Sequence, residues 1–386
     1  MPTPPNETIE LRAQQLDRTH RLSRVMNIQS IVLALKSLIR FGIVITLICI
    51  GAEFGARWDD FVRTGVPIGT SPLLERDLQI TQDGQILGKP FGVYMATQLN
   101  SLGFRGPELQ VPKGRTRRVL LVGASETFGS PSRIDDQYAQ YLQTELPLCE
   151  IVNTSVIGQN AASLLSQWNS SLKQLNPDTV VIYSSPYFYT RASYDKQPVN
   201  QTAKVETPIV DARFQSRFAD KFKSSISIPQ PIQRWRQLAV LREVTKKLPN
   251  ALQLDAIPLE SDDAYLSDLE ALVSAISPHV NQVLLITHPI SAHSQARPNV
   301  DSNLDLDDHL LNFQIRRPQF TQAAIAEFSY RIRKRVVAEK WPVNVSVVDL
   351  AGEIGGHKEF FRDLVHLNEL GARKVARCLA SAMTSR

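Results

Sequence analysis

The sequence predicts an α/β fold: a doubly wound, flavodoxin-like sheet of five parallel strands, preceded by one N-terminal transmembrane helix. Three observations lead there. Five short, β-branched-rich runs are apolar on both faces, as a covered parallel sheet requires. Helix-length stretches separate most of them, giving the alternation that right-handed crossovers produce. One long apolar run lies near the N-terminus.

The strand candidates are 118–122, 150–156, 179–184, 282–287 and 345–350. The helix-like stretches are 137–146, 161–175, 262–276, 319–339 and 369–383. The interval between Ser184 and Asp262 is too long for one crossover, and its basic, strand-poor part, Tyr187 to Pro258, reads as an insertion near the strand ends. The run from Phe41 to Gly51, with its flanks Ser37–Ile39 and Ala52–Phe54, gives roughly 18 residues, near the minimum for a spanning helix. Arg40 and Glu53 stand at its ends, where long polar side chains snorkel. Arg12, Arg18, Arg21, Arg24, Lys36 and Arg40 precede it, against Glu7, Glu10 and Asp17. This bias predicts a cytoplasmic N-terminus and an exported C-terminal bulk. A cleaved signal peptide is the rival, but the long leading segment and the weak Gly51-Ala52-Glu53 site favour an uncleaved anchor.

The expected organisation is a cytoplasmic tail over 1–27, an anchor over 28–54, an extracytoplasmic connector over 55–115, and a catalytic domain over 116–386 interrupted at about 187–260. The chain has 386 residues, 43% of them hydrophobic, enough for a sizeable core. Its net charge of +5 balances 43 basic against 38 acidic residues, with no dense Lys/Arg stripe interleaved with aromatics, which argues against nucleic-acid binding. Three cysteines, Cys49, Cys149 and Cys378, do not make a disulfide scaffold. His288 and His293 lack further ligands for a metal, and no cofactor is called for.

The chemistry sits at strand ends. Ligands of such sheets bind outside the carboxyl ends of the strands. Ser125 follows the first strand at that edge, Gly158 the second, Ser184 and Ser185 the third, and His288 the fourth. Asp363 and His366 come after the fifth, so these motifs converge on one rim. Ser125, His366 and Asp363 are a nucleophile, a base and a carboxylate to orient the base. A helix-capping serine would explain the first motif alone, and a helix N-terminal acid the second. Their joint order and placement favour catalysis. Glu126, beside the nucleophile, is expected to face solvent, and His357 to lie in a loop. Tyr187, Phe188 and Tyr189 fit an aromatic rim or the core equally. The insertion's Arg191, Arg213, Arg217, Arg234, Arg236 and Arg242 suit a solvated face or contact with anionic groups.

These residues resemble the SGNH (GDSL-type) hydrolase superfamily over roughly 95–386. Gly123-Ala124-Ser125-Glu126-Thr127-Phe128-Gly129 is similar to the family's Gly-Asp-Ser-x-Thr-x-Gly block. Ile157-Gly158-Gln159-Asn160 matches the block whose glycine N–H serves the oxyanion hole, and Asp363-Leu364-Val365-His366 matches the final Asp-x-x-His. Asn100 to Glu108 resembles a lead-in of membrane-anchored bacterial members. Two departures stand out. Ala124 replaces the usual Asp, and Asp178–Tyr189 lacks the Asn that donates to the oxyanion, leaving Ser185 or Ser184 as substitute. One lost oxyanion donor typically costs about 10²–10³ in turnover.

The resemblance implies a serine esterase or acyltransferase with Ser125, His366 and Asp363 as triad and Ser125, Gly158 and Ser185 around the oxyanion. With the anchor, it points to O-acetyl esters of a cell-envelope or exported polysaccharide. The expected setting is the inner membrane, with the domain on the periplasmic side and envelope-biosynthesis proteins as candidate partners. The alternative is a non-catalytic SGNH-like accessory protein of envelope polysaccharide assembly. A lipid esterase would want a broad apolar cleft, which the basic insertion does not suggest.

Overall fold

The computed structural model of the chain describes residues 33, 35–62, 68–69, 75–94, 97–129, 137–191, 216–225, 230–246, 256–292, 320 and 322–384. The tail over 1–27, Arg213, His293 and the Arg191 side chain lie outside the described residues. The chain forms two compact units: residues 1–69 with 215–225, and residues 70–214 with 226–386.

The larger unit is built on five parallel strands, β5 (Arg117–Gly123), β6 (Cys149–Asn153), β7 (Thr179–Tyr183), β8 (Gln282–Ile286) and β9 (Val345–Val348). They lie in the order β6-β5-β7-β8-β9. Counting only these five in chain order gives 2-1-3-4-5, the flavodoxin-like order, with its switch point between β5 and β7. Leu120 registers with Val152 on one side and Val180 on the other.

Strand periodicity divides the core into two layers. Leu120, Val122, Val180, Ile182, Val283 and Leu285 face one layer. It is covered by α4 (Ala161–Ser170), α7 (Leu259–Ile276) and α8 (Gln322–Ala338). Val119, Leu121, Val181, Tyr183, Leu284 and Ile286 face the other layer, covered by α3 (Tyr138–Glu145), the short α9 (Leu350–Glu353) and α10 (Glu369–Thr384). Each fully buried side chain contributes about 1.5–3 kcal/mol, whereas an exposed ion pair such as Arg373–Glu369 is screened by solvent and contributes little. Burial on two faces therefore fixes the sheet. Two charged side chains within the core are paired: Arg118, fully buried on β5, donates to Glu150 and to the Leu175 and Gln110 carbonyls. Asp262 on α7 accepts both arms of Arg331 on α8 at 2.7 and 2.8 Å.

The segment expected as a connector with little periodicity is structured over much of its length. Four short strands pair antiparallel in two small sheets, β1 (Gln79–Gln82) with β2 (Gln85–Gly88) in a first hairpin, and β3 (Val93–Tyr94) with β4 (Thr97–Gln98). Polar side chains fasten the first hairpin to the loop after β6. Gln79 donates to the Ile157 carbonyl at 2.7 Å, and Gln159 donates to the Ile86 carbonyl at 3.2 Å. Gly88 and Gly103 approach so closely that a Cβ on either would sit within 2.1 Å of the other's carbonyl oxygen. Part of the insertion is also described: α6 (Gln230–Lys246) belongs to this unit.

The smaller unit is dominated by α1 (Leu35–Val62), whose N-terminal part is long and apolar enough to cross a membrane. Leu38, Phe41, Leu47, Ile48 and Ile50 are all exposed on it. The helix runs past residue 54 through Val62, where Phe54, Trp58 and Phe61 make consecutive ring contacts. From the insertion, α5 (Arg217–Ser225) packs against this end. The Glu53 carboxylate accepts the first backbone N–H groups of α5, from Arg217 and Phe218, and the Ser216 hydroxyl. Arg217 pairs with Asp60, and Lys221 with Asp59 and Asp60.

Candidate active site

The nucleophile turn grows out of β5. Gly123 ends the strand with no room for a side chain: a Cβ there would lie 2.3 Å from Thr127 Oγ1 and 2.6 Å from the Tyr183 carbonyl oxygen. The chain then turns into the single-turn helix α2 (Ser125–Phe128), started by Ala124 without a side-chain cap. Ser125 is therefore the first residue of a helical turn at the switch point of the sheet.

The lead-in segment holds this turn from below. The Asn100 side chain organises its own loop, accepting the Leu102 and Phe104 N–H groups and donating to the Pro107 carbonyl. That loop presents Arg105, whose backbone N–H bonds the Asn153 carbonyl and whose Nη1 donates to the Phe128 carbonyl at 2.6 Å. The guanidinium also lies 5.0 Å from the centre of the Phe128 ring. Asn153, in turn, donates to the Thr127 carbonyl. Two segments thus satisfy the carbonyls at the end of α2 that the helix itself leaves open.

His366 and Asp363 come from the loop before α10. Asp363 Oδ1 accepts the Val365 and His366 N–H groups, folding the loop into a turn, and Asp363 Oδ2 lies 2.7 Å from His366 Nδ1. His366 Nε2 lies 2.9 Å from Ser125 Oγ. With Nδ1–H given to the carboxylate, Nε2 is left to accept the serine proton. Burial pushes the Asp363 pKa up, but the hydrogen bond and charge of His366 and the two N–H groups outweigh it and hold it at about 2. For His366, burial lowers the pKa. The hydrogen bond and charge of Asp363 and the charge of Glu126 prevail over it and over Arg362, so the imidazole titrates above its ordinary value.

Glu126 does not face solvent. Its side chain is 3% exposed, with Oε1 3.0 Å from His288 Nε2 and Oε2 3.2 Å from Ser125 Oγ. Its partner lies 162 residues on, at the end of β8, and no local pattern reveals it. Burial pushes the Glu126 pKa up, yet the His288 hydrogen bond and charge, the charge of His366 and its own backbone N–H bring it to about 2. His288, which sequence placed at the cleft, is 2% exposed in its side chain and packed edge-on by Tyr183 and Tyr187. It also borders a small cavity of about 150 Å³ with Ser329, Tyr330 and Arg333.

The other expected residues fall as follows. Gly158 is exposed with φ +89° in the loop after β6, a conformation that favours glycine, and the space a Cβ would occupy is open. Asn160 beyond it caps α4 through a reciprocal pair with Ser163. Ser184 and Ser185 follow β7 and are both buried; Ser184 Oγ has no hydrogen-bond partner among the described residues. Tyr187 and Tyr189 belong to the core, while Phe188 is half-buried against it, so this segment is not an open aromatic rim. His357 is an exposed loop residue paired with Glu359. The three cysteines are free thiols.

No family model matches the chain, and no curated protein matches it. Solved structures similar to it include an acetyl xylan esterase, AlAXEase, at 17% identity, with 69% of this chain and 98% of that chain covered and a TM-score of 0.36. A lipase/acylhydrolase from Enterococcus faecalis is similar at 16% identity, covering 70% and 97%, with a TM-score of 0.37. The C-terminal catalytic domain of peptidoglycan O-acetyltransferase A from Streptococcus pneumoniae is similar at 16% identity, covering 70% and 95%, with a TM-score of 0.34. The sheet order, with a Ser block after the first strand of the five, a Gly block after the second and an Asp-x-x-His block after the last, keeps the resemblance to SGNH hydrolases that the sequence carries.

Proposed function

We propose that the chain is an SGNH-type serine esterase or acyltransferase, carried on a single membrane-spanning helix and acting outside the cytoplasm on O-acetyl esters of a cell-envelope or exported polysaccharide. The observation that carries the catalytic part is the line Asp363–His366–Ser125, closed at 2.7 and 2.9 Å from groups 241 residues apart at the switch point of the sheet. His366 takes the Ser125 proton as Oγ bonds the ester carbonyl carbon, and Asp363 stabilises the imidazolium and fixes its tautomer. The carbonyl oxygen, now negative, turns toward the N–H groups of Ser125 and Gly158 and the hydroxyl of Ser185. His366 then protonates the departing alcohol, leaving an acyl-enzyme that passes its acyl group to water or to a sugar hydroxyl. The substrate class rests on the motif resemblance together with the apolar helix, which would hold the domain at an envelope surface.

The test uses the full chain in detergent with a chemically O-acetylated polysaccharide and an unacetylated oligosaccharide acceptor, read by free acetate and by acceptor mass. Acetate released or moved by the parent chain but not by Ser125→Ala supports the reading. A folded parent that does neither sinks the acetyl-ester assignment and puts the accessory-protein reading ahead.

A further inference from the structure

Ser125 Oγ has two neighbours that compete for one proton: His366 Nε2 at 2.9 Å and Glu126 Oε2 at 3.2 Å. A hydroxyl donates once. With neutral His366, the proton goes to Nε2, and the Glu126 oxygen then faces the serine oxygen with nothing between them. With doubly protonated His366, both contacts are hydrogen bonds: Nε2–H donates to Oγ, and Oγ–H donates to Glu126. The arrangement fits the imidazolium form better than the neutral one.

We propose that Glu126, clamped by His288, is a positioning residue that stabilises the imidazolium form of His366 and holds the Ser125 hydroxyl in the resting site. The inference rests on the reading of Ser125 as nucleophile. In the reaction, the Oγ–H bond breaks as the proton passes to His366 Nε2, while the Oγ–C bond forms and the carbonyl π pair moves onto oxygen. The imidazolium then lies between two carboxylates, Asp363 at Nδ1 and Glu126 across the serine oxygen. As the C–O bond to the leaving alcohol breaks, that alkoxide takes the proton from Nε2.

Glu126 does not itself serve as the base, because a carboxyl held at about 2 loses the contest for a proton to an imidazole above its ordinary value. The clamp keeps it ionised. His288 Nε2 faces an ionised carboxylate, so Nε2 carries hydrogen and donates. Tyr138 and Tyr183, which feel the Glu126 charge from α3 and β7, are pushed far up by burial and stay neutral, as does Tyr265 from α7. On the His366 side, Asp363 acts with Glu126 and Arg362 acts against them. A carboxylate within a few ångströms of a titrating cation raises its pKa by about 1–3 units.

The test is the titration of His366 in the full chain in detergent, followed by ¹³C-histidine NMR with the resonance assigned by His366→Gln. A parallel profile of fluorophosphonate labelling rate against pH reads the same group through the serine. The account expects the His366 midpoint to fall by about one unit or more in Glu126→Gln, with the labelling profile moving alongside it. His288→Gln, which keeps an N–H donor for Glu126 without the imidazole, retains the parent midpoint. Unmoved midpoints in Glu126→Gln would overturn the proposal and leave the pair as a brace of the turn. An equal fall in His288→Gln would also overturn it, by assigning the effect to His288. Failure of the nucleophile reading is separate: the parent then takes no label at any pH, while the NMR midpoint still decides whether Glu126 acts on His366.

Discussion

At the level of single residues, distinct losses belong to distinct atoms of the site. Removing Ser125 removes the covalent step, so Ser125→Ala gives no acyl-enzyme. Asp363→Asn leaves His366 in place but removes the carboxylate that fixes its tautomer. Turnover should fall by about 10⁴, which steady-state rates check. Activity should rise with pH through a midpoint above about 6.5, the ordinary imidazole value. Acid stability has the opposite partner groups. Glu126 and Asp363 have folded-state values near 2, below their ordinary 4.5 and 3.8. The stability they supply is present above the ordinary values and is lost as pH falls from about 5 toward 2. Melting between pH 7 and pH 3 should show a decline that is shallower in Glu126→Gln, and an equally steep one would contradict the assignment. Ser125, His366 and Asp363 were legible in the sequence because each sits in a short block at a strand end or just before a helix. Glu126 was not, because its burial depends on His288, which only the register of β8 against β7 brings close.

At the scale of elements, the nucleophile turn is held by neighbours rather than by its own propensity. A four-residue helix without a side-chain cap has little intrinsic stability. Arg105 and Asn153 supply the carbonyl partners, and Thr127 packs where a Gly123 side chain would be. Arg105→Ala should therefore cost about 1–3 kcal/mol for the lost charged hydrogen bond and slow probe labelling of Ser125. Urea midpoints and labelling rates measure the two effects, and an unchanged labelling rate would separate the lead-in from the site. The five strands and their helices could be read from apolar runs and periodicity. The pairs β1–β2 and β3–β4 could not: their strands are two to four residues long and half exposed, so they carry no alternating pattern. Their order comes from tertiary contacts such as Gln79 with Ile157.

At the scale of the whole molecule, the chain joins an apolar helix to a sheet whose carboxyl edge carries the site. The buried Arg118 ties β5 to β6 and to the segments before and after them. Arg118→Met leaves Glu150 and two carbonyls without their donor and should destabilise the larger unit by about 3 kcal/mol or more, read as a fall in urea midpoint. The end of α1 was harder to read, since the apolar run fades near residue 54 while the helix continues through Val62. Beyond that point its acidic residues Asp59 and Asp60 are neutralised by Arg217 and Lys221 from the insertion, a partnership that local composition does not signal. The proposed orientation has its own check: a reporter fused after Arg386 should be active only outside the cytoplasm, and activity only inside would reverse the topology.

Everything above turns on Ser125 being an activated nucleophile. The direct measurement is intact mass of the full chain in detergent after treatment with a fluorophosphonate probe, beside Ser125→Ala. The account predicts one adduct on the parent chain, mapped to Ser125, and none on the variant. A folded parent chain without an adduct would contradict it.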